Sequence, residues 1–200
     1  KPGGATEQWL RELAQRHNCA LTGSIAVAAG EGVYNRMLFA TPEGVQHYDK
    51  RHLFRMAGEH KHFAAGAEQL VLQLKGWRVR PLVCYDLRFP VFSRNLGKEV
   101  DLLVYVANWP AKRAAHWRAL LQARAIENQC YVVGVNRLGI DGNTVAYQGD
   151  SMVVDFQGEV IADAFDRAGL HYAALDVGAL NDYRAAFPAW MDQDGFTLDL

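Results

Sequence analysis

A cysteine closes the apolar run Arg80-Pro81-Leu82-Val83-Cys84, and a polar turn, Tyr85-Asp86-Leu87-Arg88, leads from it to Phe89-Pro90. At the carboxyl end of a strand in an open α/β sheet, side chains face the crevice where ligands bind. A thiol there stands where a nucleophile is wanted, near backbone N–H groups that can stabilise a thiolate or an oxyanion. The commoner reading of a lone Cys beside Leu and Val is a small inert core residue. Covalent chemistry would also need a base for the thiol proton, a partner for the oxyanion and a pocket. Lys50 follows a strand and opens a long polar segment. Near a carboxylate it would stay an ammonium and steady a developing oxyanion, with Glu59 placed to orient it. The ordinary readings of these two are a solvated lysine and an exposed loop acid. None of the seven histidines is singled out as a base. His60 and His62 flank Lys61 close to Glu59 but have no third ligand at recognisable spacing, so no metal site is expected.

These groups must be held by a fold. The 200 residues suffice for one ordinary domain, residues 1–200, with a real core. Half the residues are apolar and 22% are charged, a globular composition. A net charge of −1 gives no electrostatic case for nucleic acid or an anionic membrane. No apolar run reaches membrane-spanning length. Three widely spaced cysteines form neither a disulfide framework nor a Cys-x-x-Cys pair, so a reducing, cytoplasmic setting is the default.

The pattern predicts a helix over residues 6–17, with Thr6 as N-cap and Trp9, Leu10, Leu13 and Ala14 on one apolar face. A buried strand over 19–27 follows, then a hairpin of 34–40 and 45–48 closed at Thr41-Pro42-Glu43-Gly44. Residues 49–63 read as loop. Strands are expected at 70–74 and 77–83 around Lys75-Gly76, and a short helix over 90–96 stopped by Gly97. The run 100–107 reads as a doubly buried strand ending in Asn108-Trp109-Pro110. Beyond it come a helix over 114–127 with Trp117, Leu120, Leu121 and Ala125 inward, a strand over 131–135 and a polar loop over 136–149. The hairpin 152–156/159–162, a last strand at 170–175 and a helix over 179–187 complete the chain. Interleaved strands and helices argue for a layered α/β fold with mixed pairing.

Several motifs carry a resemblance: Tyr48-Asp49-Lys50-Arg51-His52-Leu53-Phe54, then Glu59 and Gly66, then the run from Leu82 to Pro90. Val106-Ala107-Asn108-Trp109-Pro110, His116-Trp117, Ala123-Arg124-Ala125-Ile126-Glu127-Asn128-Gln129, Asn136-Arg137, Gly149-Asp150-Ser151 and Gly158-Glu159 continue it. In order and spacing, across nearly the whole chain, these closely resemble the carbon–nitrogen hydrolase (nitrilase) superfamily, and most of all its bacterial omega-amidase branch, which resembles 2-oxoglutaramate amidases. The resemblance implies an αββα sandwich, a homodimer, a small-molecule amide substrate and no metal or organic cofactor. It implies Cys84 as nucleophile, Lys50 as the cation for the tetrahedral intermediate with the Tyr85 N–H as second donor, and Glu59 as the glutamate that positions lysine and substrate. Asn108 and Trp109 would line the pocket, while Arg88, Arg124 and Glu127 would be supporting or structural ion-pair groups. A substrate carboxylate would need a cation, for which Arg113 and Arg137 are loop candidates.

There is one departure. The family's general-base glutamate comes from an early strand–loop segment, whereas Glu7 and Glu12 lie on the first helix and Glu31 and Glu43 in turns. With no initiator Met before Lys1, the expectation is a chain lacking its N-terminal part, including the first strand, and inactive alone. Other readings stay open: an N-carbamoyl-amino-acid amidohydrolase, a nitrilase, or a non-catalytic interaction domain derived from such an enzyme. A papain-like thiol hydrolase fits poorly, because no His follows in matching context and Lys50 would have no role.

Overall fold

The computed structural model describes residues 1–199. Helix α1 (Ala5–His17) starts earlier than its pattern predicts. Gly4 is the N-cap, so Thr6 falls inside the first turn without a capping bond, and Glu7 instead accepts the Gly3 N–H at 2.9 Å. Ala14 is fully buried, but Trp9 on the expected inner face is 57% exposed.

Strands β1 (Leu21–Ala29), β2 (Gly32–Thr41) and β3 (Gly44–Asp49) form an antiparallel meander, with the second hairpin at Pro42-Glu43 as its residues require. β1, expected to be buried, alternates between exposed positions and half-buried ones, with Val27 buried, the pattern of a strand covered on one face. α1 packs against β1 and β2.

The larger sheet has six strands, in the order β11 (Val160–Phe165), β10 (Ser151–Val154), β7 (Tyr131–Asn136), β6 (Leu102–Ala107), β5 (Trp77–Val83) and β4 (Leu72–Leu74). β4 (Leu72–Leu74) turns into β5 (Trp77–Val83) through Lys75 and Gly76, both at positive φ, as a two-residue hairpin demands. α2 (Pro90–Ser93) stops short of the expected boundary. Asn95 breaks it: its side chain accepts the Val100 N–H and donates to the Val100 and Asn128 carbonyls. β5, β6 (Leu102–Ala107) and β7 (Tyr131–Asn136) run parallel, and α3 (Ala114–Asn128) forms the crossover between the last two. Trp117, Leu121 and Ala125 of α3 are buried. Gly134 of β7 admits the helix, since a Cβ there would fall on Leu121 and Trp117.

Residues 136–149 are not a plain loop. They contain the two-stranded hairpin β8 (Leu138–Ile140) and β9 (Ala146–Gln148), in whose turn Asp141 accepts the N–H groups of Asn143 and Val145. β10 (Ser151–Val154) and β11 (Val160–Phe165) close the larger sheet. The strand expected at 170–175 is absent. That segment runs without regular structure, with Leu170 84% and Tyr172 81% exposed and no partner strand among the described residues. α4 (Val177–Ala186) is capped by Asp176, which accepts the Ala179 N–H. Its buried Arg184 pairs with Asp101 at 2.8 Å and donates to the Gln129 and Val100 carbonyls.

Met37, Phe39 and Tyr48 from the meander and Val79, Leu82, Leu103 and Val132 from the larger sheet share one hydrophobic core. No helix among the described residues is long and apolar enough to cross a membrane.

Candidate active site

The thiol of Cys84 sits at the carboxyl end of β5, on the first residue of the 3-10 turn Cys84–Arg88. Its φ is 49°, a left-handed conformation rare for a residue with a side chain. A sharp strand-to-helix turn of this kind lifts a nucleophile clear of the sheet. Cys84 is half-buried, and its Sγ lies 3.9 Å from the Asn108 carbonyl oxygen.

Asp86 holds the turn. It is fully buried; Oδ2 accepts the Val83 N–H (2.9 Å) and the Tyr48 hydroxyl (2.8 Å). Oδ1 accepts the His52 N–H (3.0 Å) and ring Nδ1–H (2.8 Å). Burial, followed by the charge of Asp86, pushes the Tyr48 phenol well above its ordinary pKa, so it remains a donor. The His52 ring stacks on Phe89 at 3.8 Å between centroids. Tyr48 and His52 thus tie the end of the meander to the turn bearing the thiol.

Lys50 follows β3 and is 3% exposed; its ammonium donates to Glu59 Oε2 at 2.6 Å. Glu59 also accepts the Phe54 N–H (2.6 Å) and the Asn35 amide (3.1 Å). Burial raises the Glu59 pKa, but the Lys50 hydrogen bond and charge, with the Phe54 and Asn35 bonds, outweigh it and leave the carboxyl below its ordinary value. The pair is therefore ionic, and neither member is the solvated surface group that position alone suggests. Gly66 closes the loop around it: its N–H donates to the Lys50 carbonyl, and a Cβ would collide with the Asp49 carbonyl.

Burial pushes the Cys84 thiol up. The Lys50 charge and a backbone hydrogen bond at Asn108 pull it back in part, and Glu59 and Asp86 oppose them. The net shift is upward, so the resting group is the thiol rather than a thiolate. Cys130, fully buried, is pushed up to about 12. Lys50 is thus the charge that lowers the pKa of the sulfur.

The remaining expected residues divide. Tyr85 is half-buried, its ring 5.0 Å from Phe54 and 5.1 Å from Phe89. Asn108 is exposed beside the sulfur. Trp109 is 3% exposed: its indole donates to the Arg113 carbonyl and packs 5.5 Å from Trp117, so its ring is core. Arg88 forms no ion pair among the described residues; its guanidinium lies 4.8 Å from the Trp109 ring and donates to His116. Arg124 pairs with Glu127 at 2.9 Å and donates to the Leu87 carbonyl, bracing the turn from α3. Arg113 lies over Phe54 and Arg137 over Tyr147, at 5.3 and 4.7 Å. His60 and His62 are exposed, and no cluster of three or more metal-ligating side chains occurs among the described residues.

Sequence reasoning did not single out Asp86, His52, Asn35 or Asn136. Asn136 accepts the Trp109 N–H at 2.7 Å and donates to the Trp109 and Gly149 carbonyls, fixing the segment that carries Asn108. A buried polar residue inside a motif was the available signal for Asp86, because such groups need partners.

Comparison with known proteins agrees with this arrangement. Residues 1–185 match the carbon-nitrogen hydrolase family. The chain is 54% identical over 192 residues to the omega-amidase YafV of Escherichia coli K12, covering 95% of this chain and 75% of the relative. It is 36% identical to the 2-oxoglutaramate amidase of Bacillus subtilis, with 95% of this chain and 74% of the relative aligned. The crystal structure of XC1258 from Xanthomonas campestris, a CN-hydrolase superfamily protein with an arsenic adduct in its active site, superposes with a TM-score of 0.94 at 48% identity, over 98% of this chain and 77% of that one. With its mixed-sheet α/β fold and these relatives, the chain belongs to the carbon-nitrogen hydrolase family, the nitrilase superfamily.

Proposed function

We propose that this chain is the thiol-bearing domain of an omega-amidase, which hydrolyses the ω-amide of a 2-oxo dicarboxylic acid such as 2-oxoglutaramate to the acid and ammonia. The observation that carries this is the strained turn holding Cys84 under the charge of a buried Lys50–Glu59 pair. The omega-amidase and 2-oxoglutaramate amidase relatives supply the substrate class.

In this reading the Cys84 sulfur attacks the carboxamide carbon. The Lys50 ammonium and the Tyr85 N–H take the developing oxyanion, the proton removed from the thiol passes to the amide nitrogen, which leaves as ammonia, and a thioester remains for water to cleave. Glu59 holds the ammonium in place; while it accepts from Lys50, Asn35 and Phe54 it is not free to take the thiol proton, so the base is a separate group. Asn108 lines the pocket at the sulfur, and the buried Trp109 ring shapes it from behind. Arg88, against the Trp109 ring, supports that wall, and the Arg124–Glu127 pair braces the turn through the Leu87 carbonyl. Arg113 and Arg137, whose guanidiniums face aromatic rings rather than carboxylates, are the cations available to the substrate carboxylate. The chemistry uses no cofactor.

Around the site we read one domain as an αββα sandwich, supported by a single core between the sheets, with α1 on the meander and α3 on the larger sheet. A homodimer in the cytoplasm fits three free thiols and the exposed Ile126, Phe187 and Met191.

The test is Cys84→Ala, assayed for ammonia release from 2-oxoglutaramate, an N-carbamoyl amino acid and a simple nitrile. Loss of all turnover with an unchanged melting temperature is expected, with 2-oxoglutaramate preferred by the parent protein. Near-normal activity of the variant ends the assignment, and preference for another substrate moves the chain to another branch of the family.

A further inference from the structure

A second site lies on the strand that carries the thiol. Two side chains of β5, Arg78 and Arg80, are cationic, but among the described residues only Arg78 has an acid: it pairs with Asp101 at 2.6 Å. Arg80 is 3% exposed and forms no ion pair among the described residues. Of its three guanidinium nitrogens only Nη1 has a hydrogen-bond partner among the described residues, the Arg94 carbonyl at 2.9 Å, and Nε is buried with none there. A buried cation without a counter-charge is costly to maintain.

Arg80 borders a cavity of about 280 Å³, lined also by Gln69, Arg94, Leu96, Glu99 and Leu198. The Arg94 guanidinium is half-buried and donates only to the Glu127 carbonyl, so it too lacks an acid among the described residues. Among its lining residues are two arginines and one carboxylate residue, Glu99, which is exposed. The cavity is therefore net positive, and its volume accommodates several water-sized groups at about 30 Å³ each.

We propose that this cavity binds a small oxyanion, a carboxylate or a phosphate, between the Arg80 and Arg94 guanidiniums. Such a ligand supplies the negative charge that the surrounding chain does not, and planar guanidinium groups match it in geometry. The site is separate from the thiol, on a different stretch of β5, and stands whether or not the amidase reading does.

Titration calorimetry with inorganic phosphate and, separately, succinate, each at constant ionic strength with chloride as control, tests this. One of the two should bind saturably, and that one identifies the source. Arg80→Leu should weaken binding at least ~10-fold, since it removes the buried charge, without altering kcat/KM. Glu99→Gln should tighten binding about 3-fold or more, because it removes the opposing charge. Absence of saturable binding to either anion overturns the proposal, as does equal binding by the parent and Arg80→Leu. If Arg80→Leu does not fold, Glu99→Gln decides: binding no tighter than the parent's overturns it.

Discussion

Asp86→Asn probes the turn that presents the thiol. The carboxylate accepts four hydrogen bonds, two on each oxygen, from Val83 and Tyr48 and from the His52 backbone and ring. An amide of the same shape keeps one acceptor oxygen, and its NH₂ must face one of the two pairs. The side-chain member of either pair can adapt, since a hydroxyl or an imidazole nitrogen can accept instead of donate. The backbone member cannot, so the N–H of Val83 or of His52 is left facing another donor. Such a buried orphan costs about 1–3 kcal/mol, and loss of charge assistance on the remaining bonds adds about 1 kcal/mol. The expected destabilisation is about 2–4 kcal/mol, read from urea unfolding monitored by tryptophan fluorescence. Because one of these bonds fixes Val83, next to the strained Cys84, iodoacetamide labelling of that thiol should change in rate while Cys130 remains protected. A loss below about 1 kcal/mol with unchanged labelling would refute the claim that Asp86 holds the turn.

Lys50→Met should lower kcat by at least ~10², as loss of one oxyanion donor does, and destabilise the fold because Glu59 keeps its burial without its cation; ammonia release and urea melts read the two effects. Burial raises the Asp101 carboxyl, but bonds from Arg78 and Arg184 more than reverse this and hold it below its ordinary value. Its contribution is therefore complete above the unfolded-state pKa of about 3.9 and is lost as pH falls through the lower native value. Urea midpoints taken from pH 6 downward in about half-unit steps should fall less steeply with acid in Asp101→Asn than in the parent. Gly134→Ala should cost about 1–3 kcal/mol by driving a methyl into Leu121 and Trp117, seen as a lower melting temperature.

Residues whose chemistry is local could be read from the sequence. The Lys75-Gly76 and Pro42-Glu43 hairpins follow from turn preferences, and β6 from its unbroken apolar run. The resemblance to the family's motifs pointed to Cys84, Lys50 and Glu59, and the structure brings the lysine and glutamate into contact at 2.6 Å. What failed depends on a neighbour that sequence does not display. Residues 170–175 have strand-like composition but no adjacent edge among the described residues, and Trp9 lies on an apolar face of which only part is covered. The β8–β9 hairpin hid in a polar stretch because Asp141 side-chain bonds, not apolar alternation, shape its turn. The Tyr48–Asp86–His52 cluster spans 38 positions in the chain, so only the packed fold assembles it.

That cluster has a mechanical consequence. The ammonium comes from one sheet and the sulfur from the other, and between sheets packed through hydrocarbon side chains sliding meets little directional resistance. Asp86 acts as a dowel, bonded to both bodies in a dry joint, and so limits how far the thiol and the ammonium can shift against each other. Substitutions far away that loosen the oily contact should leave the reaction's alignment intact while the dowel holds. Heating should then end activity abruptly, at the temperature where the joint takes up water, rather than by gradual decline.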